Sequence, residues 1–181
     1  MMDLKTLFKS TALCLALAGM GISSSALAAD ATLKIHGTVK ASPCTVEADD
    51  ASGNYNVALG DDIQAASLTA GVGSAWKDVN LKLKDCPSST TSVTAKFSGT
   101  PATETGGTDL YKNTGDAENV QIELQNKTAS TRLGDNSTME VLVVGATNDA
   151  IFPLQARAYS VAGGATPGTI IGTVQVAFTY Q

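Results

Sequence analysis

The C-terminal stretch, residues 168–181, reads Gly-Thr-Ile-Ile-Gly-Thr-Val-Gln-Val-Ala-Phe-Thr-Tyr-Gln. From Val174 onward every second residue is apolar, continuing with Val176, Phe178 and Tyr180. A period of two predicts a strand with one face on a hydrophobic core, and branched and aromatic residues suit that face. No later segment follows to pair with this strand, and soluble proteins normally avoid an exposed apolar sheet edge. We expect an earlier segment or another chain to cover it, whereas ordinary core packing within one chain is the alternative interpretation.

A second alternating segment occupies residues 29–40. Its apolar face carries Leu33, Ile35 and Val39, with Gly37 in the same series, while the intervening residues are polar. This pattern predicts another strand, at a position where chain ends are usually loose.

The segment before it, residues 1–28, has the pattern of a secretory signal peptide. Lys5 and Lys9 precede an apolar and small-residue run at 11–22, and Ala26-Leu27-Ala28 forms an A-x-A cleavage site. The apolar run is too short to span a bilayer comfortably. We therefore predict cleavage before Ala29, with a buried N-terminal helix as the alternative.

Charge and length limit the functions that remain. Removing Asp3, Lys5 and Lys9, which together carry +1, changes the formal charge from −5 to −6. The remaining chain is mildly acidic and has no basic stripe, which argues against nucleic-acid binding. No other apolar run approaches membrane-spanning length. A chain of this size predicts one domain, at residues 41–181.

Two cysteines remain after removal of the predicted signal peptide. Cys44 and Cys86 form an even pair in an exported chain, which predicts a disulfide. Such a bond would stabilise the fold by about 3–4 kcal/mol in the chain-entropy model. A metal site is the alternative, but it lacks ligands because His36 is the only histidine and no CxxC occurs.

The rest of the chain consists of short alternating segments separated by Gly-, Ser-, Thr- and Asn-rich connections. No stretch sustains a helical period, so the sequence predicts an all-β sandwich. The predicted strands lie at residues 45–50, 54–60, 76–84, 92–99, 119–125, 139–144 and 152–161.

No constellation for catalysis or cofactor binding is evident. The single histidine, His36, lies on the polar face of the predicted strand at residues 29–40, and no Ser-His-Asp or Cys-His relay is evident. Asp49-Asp50 and Asp61-Asp62 are interpreted as solvated turn charges, since no EF-hand pattern is present. Trp76 opens a predicted strand and is assigned to the core rather than to a sugar-binding platform.

Several short motifs, taken in order, resemble the pilins of chaperone–usher fimbriae, and closely the minor adapter subunits of type 1 fimbriae. The order and spacing of the motifs make the resemblance specific, and it covers essentially the whole chain after residue 28. After the alternating extension, the motifs are Pro43-Cys44-Thr45-Val46, Ser74-Ala75-Trp76-Lys77-Asp78-Val79, Cys86-Pro87, Phe97-Ser98-Gly99, Tyr111-Lys112-Asn113, residues 119–124 and 152–158, Gly163-Gly164-Ala165-Thr166, and Tyr180.

The resemblance implies an incomplete immunoglobulin-like β-sandwich that lacks its last strand. In this family a hydrophobic groove beside the C-terminal strand is filled first by a periplasmic chaperone. The N-terminal extension of the next subunit then replaces the chaperone by strand addition, during assembly at an outer-membrane usher. Such a head-to-tail interface propagates into an open fibre.

The resemblance also implies roles for individual residues. The family disulfide corresponds to Cys44–Cys86. The proposed donor-strand residues are Leu33, Ile35, Gly37 and Val39. The proposed groove and chaperone-binding residues are Gly168, Val174, Val176, Phe178 and Tyr180.

Taken together, these expectations describe a non-enzymatic subunit exported through the periplasm to a cell-surface fimbria. A minor adapter near the tip, supporting adhesion, is favoured. The major rod pilin of the same family is the first alternative, although a longer Gly-rich extension before the donor strand is absent here. A self-contained secreted binding sandwich is the second. A two-domain adhesin with a separate lectin domain is disfavoured because the chain has room for one domain.

Overall fold

In the computed structural model, residue 34 and residues 36–181 are described, and their regular structure is almost entirely β. A single 3-10 turn occurs among them, at Ala65–Ser67. No helix in this described part is long and apolar enough to cross a membrane. The strands are β1 (Thr45–Glu47), β2 (Val72–Gly73), β3 (Lys77–Lys84), β4 (Ser92–Ser98), β5 (Tyr111–Lys112), β6 (Gln121–Asn126), β7 (Thr131–Arg132), β8 (Thr138–Leu142), β9 (Ala150–Ser160) and β10 (Gln175–Tyr180).

These strands form two antiparallel sheets. The larger sheet has the order β1-β3-β9-β6-β5, with β2 added to β9 and β7 added to β6. The smaller sheet has the order β10-β4-β8. The prediction of an all-β, immunoglobulin-like sandwich is confirmed, and residues 38–181 form one compact unit.

The core lies between the sheets and follows the predicted alternation. In β9, Ala150, Phe152, Leu154, Ala156 and Ala158 are buried, while the residues between them are partly or largely exposed. A period of two places this series on the inner face of the larger sheet. From the smaller sheet, β4 supplies Val93, Ala95 and Phe97, which are fully buried.

The structure joins Cys44 to Cys86, as the sequence predicted. Both residues are buried, and the bond links the residue before β1 to a residue just after β3, the antiparallel partner of β1. The bridged residues are 42 positions apart, so the bond closes a long loop that would otherwise add entropy to the unfolded chain.

Some strand predictions differ from the structure. Residues 54–60 form no strand, because no neighbouring strand among the described residues provides them with a ladder of backbone hydrogen bonds. The short strands β2, β5 and β7 lie in segments that were interpreted as connections. The predicted signal segment, residues 1–28, and the predicted donor residues Leu33 and Ile35 lie outside the described residues.

Candidate functional site

An open cavity of about 850 Å³ lies between the two sheets, beside β10. One wall is β10 with the residues that precede it, and the other is the irregular segment 55–63, which we call the far wall. The floor is apolar and includes Leu81, Phe97 and Leu154, all of which belong to the hydrophobic core. The groove therefore reaches down to the buried core through a gap in the sandwich.

β10 is hydrogen-bonded on one side only. Its register pairs Gln175 with Ser98 and Tyr180 with Val93 of β4. At the end of the ladder the backbone of Gln181 exchanges hydrogen bonds with Ser92. In an antiparallel ladder the bonding direction alternates from residue to residue, so the odd-numbered residues of β10 face β4.

The even-numbered residues consequently point their backbone N–H and C=O groups away from β4. This row, which we call the open edge, runs along β10 through Val176, Phe178 and Tyr180. None of the described residues forms a strand ladder with it. A row of unpaired backbone groups beside an apolar groove can accept an added strand.

The side chains of the predicted groove residues lie together on the inner face of this edge. Val174, Val176, Phe178 and Tyr180 are half-buried and pack against the core. The ring of Phe178 lies 5.8 Å from that of Phe152, centroid to centroid. Burial raises the pKa of the Tyr180 hydroxyl above its ordinary value, and a hydrogen bond with the backbone of Cys44 opposes the shift. The structure thus brings these four residues to one surface.

The far wall is anchored by Tyr55 and a preceding turn. The Tyr55 hydroxyl donates to the carbonyl oxygen of Lys82 at 3.0 Å and accepts from its N–H at 3.1 Å. Burial raises the pKa of this hydroxyl, with the Lys82 backbone bond opposing the shift. The Asp49 carboxylate accepts from the N–H of Asn56 at 2.6 Å. Side-chain bonds therefore hold a wall that has no backbone ladder of its own.

Gly168 occupies a different position from the other predicted groove residues. It precedes β10 and lies against the backbone of Ala117, where a Cβ atom would overlap main-chain atoms. Its role in the structure is close backbone packing, although it also lines the groove. The sequence did not identify the loop that it contacts, residues 113–117.

The predicted donor residues within the described range lie in a stretch without regular secondary structure. Val39 is 98% exposed, and the position of a Cβ on Gly37 has open space around it. An apolar side chain left in solvent gains nothing from burial within this chain.

The residues that line the cavity without having been assigned to it from the sequence include Leu59, Ile63 and Ile170, which are half-buried. The alternation of Tyr55, Val57 and Leu59 was a detectable signal, and it was interpreted as a weak strand. Ile170 gave no such signal because the adjacent Ile171 breaks the alternation, and Ile171 is 54% exposed.

A cluster of charged residues covers the outer face of the larger sheet. The Glu123 side chain, 3% exposed, accepts from Nε of Arg132 at 2.5 Å and from Nε of Arg157 at 2.6 Å. The Arg157 guanidinium lies 4.1 Å from the centre of the Trp76 ring. Burial opposes the charge of Arg132, but hydrogen bonds to Glu123 and Asp109 raise its pKa above the ordinary value. The expectation that Trp76 belongs to the core is wrong, because stacking on Arg157 holds its ring on the outer face.

Within residue 34 and residues 36–181, no group of three or more His, Cys, Asp or Glu side chains is placed to hold a metal ion. The groove likewise presents backbone and apolar groups rather than a set of charged side chains. Its chemistry is that of a surface that binds an extended peptide.

Comparisons with known proteins agree with this geometry. The family model described as fimbrial protein matches residues 33–181. Protein FimG of Escherichia coli K12 is 44% identical over 88% of this chain and 90% of its own length. The uncharacterized fimbrial-like protein YdeR of the same strain is 42% identical over 85% of this chain and 87% of its own length. Among solved structures, the P pilus rod subunit PapA shares the fold at a TM-score of 0.60 and 18% identity, covering 77% of this chain and all of that one.

Proposed function

Because this chain belongs to the fimbrial protein family, we propose that it is a minor adapter subunit of a type 1-like fimbria that polymerises by donor-strand exchange. It is exported through the periplasm and displayed on the cell surface in the fimbria. Its role is structural rather than catalytic. The observation that carries the proposal is the open edge of β10 beside an apolar groove.

The length of the edge fits the length of the predicted donor. The even-numbered residues from Ile170 to Tyr180 extend over about 33 Å at ~3.3 Å per residue. The predicted donor segment, residues 29–40, would span about 36 Å when extended. One such segment is therefore long enough to pair with the edge from Ile170 to Tyr180.

The side-chain pattern fits as well. A strand added to the open edge directs alternate side chains into the groove. Leu33, Ile35 and Val39 supply apolar side chains at that spacing, and Gly37 supplies a small residue. Each buried aliphatic side chain would contribute about 1.5–3 kcal/mol relative to exposure. The same groove would be occupied by a periplasmic chaperone before exchange at the outer-membrane usher.

The test uses the processed chain purified from the periplasm with its chaperone. Synthetic peptides copy residues 29–40 and the corresponding segments of the fimbrial relatives, and a matched control peptide carries Ile35→Asp. We expect at least one unmodified peptide to displace the chaperone and to raise the melting temperature, with the control peptide much weaker because it would bury a charge.

The opposite result is also defined. If no peptide binds, and the chain alone already unfolds cooperatively at high temperature, the sandwich is complete without a donor. The protein would then be a self-contained secreted domain, and the assembly role would be refuted.

A further inference from the structure

The open edge of β10 continues into the residues that precede the strand, and the two parts are supported differently. Residues 175–180 belong to a sheet, because each pairs with β4. The four residues 169–172, which we call the leading segment, lie beyond Ser98, where β4 ends. No strand ladder among the described residues includes the leading segment. Whatever fixes its conformation must come from elsewhere in the fold.

The loop of residues 113–117 supplies this support through its backbone. The N–H of Thr114 donates to the carbonyl oxygen of Ile171 at 2.8 Å, and the N–H of Ala117 donates to that of Thr169 at 3.1 Å. Odd-numbered residues of the leading segment thus face the loop. By alternation, Ile170 and Gly172 direct their backbone groups to the groove.

The side-chain amide of Asn113 connects the loop to the leading segment through both its nitrogen and its oxygen. Its Nδ2 donates to the carbonyl oxygens of Ala117 at 2.8 Å and Thr169 at 3.3 Å. Its Oδ1 accepts from the N–H groups of Gly115 at 2.9 Å and Ile171 at 2.8 Å. Two of these bonds shape the loop and two hold the leading segment, so the side chain uses its full hydrogen-bonding capacity.

The loop and the leading segment are closely packed at two glycines. A Cβ atom at Gly115 would overlap the carbonyl group of Thr169, and one at Gly168 would overlap the backbone of Ala117. Loop and segment therefore meet backbone against backbone. The bonds that a sheet neighbour would otherwise provide come from the N–H groups of Thr114 and Ala117 and from the Asn113 side chain.

We propose that Asn113 is a positioning residue that holds the leading segment in the extended form that a donor strand pairs with. It acts through Thr169 and Ile171 and does not itself contact the donor. It controls binding of the donor end that lies against Ile170 and Gly172, and leaves the other end unaffected. This inference rests on the proposed function and names a residue that tunes it.

The experiment compares Asn113→Ala with a matched control, Asn126→Ala, in the full processed chain. Asn126 also bonds to backbone, accepting from Thr128 and Ala129 in the β6–β7 turn, but it does not line the groove. Three peptides are used: a bound donor peptide of full length, and two versions shortened by four residues at either end. The measurement is the apparent dissociation constant of each peptide.

We expect Asn113→Ala to weaken the full-length peptide by about ten- to hundredfold, because two hydrogen bonds to the leading segment are lost. The penalty should disappear for one of the two shortened peptides, the one that no longer reaches Ile170 and Gly172. A second variant, Thr169→Val, removes the exposed side-chain bonds to Asp116 and should show the same selectivity at smaller magnitude. It keeps the inference testable if Asn113→Ala does not fold.

An equal penalty for all three peptides, or one no larger than that of Asn126→Ala, would overturn the inference. In that case wild-type binding of the full-length peptide still supports the proposed function. If the wild-type chain binds none of the peptides, the proposed function fails first and the role of Asn113 fails with it.

Discussion

Removing the buried carboxylate of Glu123 should destabilise the fold far more than breaking an exposed ion pair would. The side chain is 3% exposed and lies between the guanidinium groups of Arg132 and Arg157, whose side chains are 29% and 22% exposed. Glu123→Ala leaves both cations without their shared partner. Breaking a buried ion pair from one side costs about 3–5 kcal/mol. Because Arg132 retains Asp109 at 3.0 Å, we place the loss in free energy of unfolding at about 3 kcal/mol.

Urea unfolding followed by circular dichroism measures this loss directly. The matched control is Asp78→Ala, which breaks an ion pair with Lys127 in which both side chains are about half exposed. An exposed pair contributes at most about 1 kcal/mol. If Glu123→Ala proves no more costly than Asp78→Ala, the cluster is a solvated surface feature and the argument from burial is refuted.

Three further outcomes follow from the structure. Replacing Cys44 and Cys86 with alanine should lower the free energy of unfolding by about 3–4 kcal/mol, measured in urea against the oxidised chain. Gly115→Ala should lower the melting temperature because of its backbone contact, whereas Gly145→Ala, with nothing nearby, should leave it unchanged. Burial raises the pKa of the Tyr111 hydroxyl above its ordinary value of 10.0. As the pH rises past 10, the unfolded state releases this proton while the folded state retains it, so the free energy of unfolding falls. Tyr111→Phe should reduce this alkaline loss of stability, measured by urea unfolding at a series of pH values.

The sequence predicted most of the sandwich because a period of two survives wherever one face of a strand is buried. β3, β4, β6, β8 and β9 were all placed within a few residues. The strand predicted at residues 54–60 was wrong for a physical reason. The alternation of Tyr55 and Leu59 arises because this segment faces the groove, and not because it pairs with a neighbouring strand. A pattern reports which face is buried, and it does not report hydrogen-bond partners.

The alternation of Val174, Val176, Phe178 and Tyr180 was visible for the same reason, and all four side chains pack against the core. Their assignment to a groove came from the family resemblance and stays a prediction. The loop of residues 113–117 was not recognised, since its contribution depends on backbone contacts between segments over fifty residues apart in sequence. Nor did the sequence show that Arg157 and Trp76 stack together. From the sequence pattern alone, a charged residue on an outward face is interpreted as solvated, because its buried partner cannot be identified.

The turn that connects β8 to β9 has a consequence for using this protein as a carrier. A single bridge between Val144 and Asp149 closes the turn, and a Cβ added at Gly145 would meet no atom within 4 Å. In the smaller sheet, β4 separates β8 from β10. A short epitope inserted after Gly145 would project from the side of the domain opposite the open edge. Each subunit incorporated into a filament could then present that epitope to antibodies.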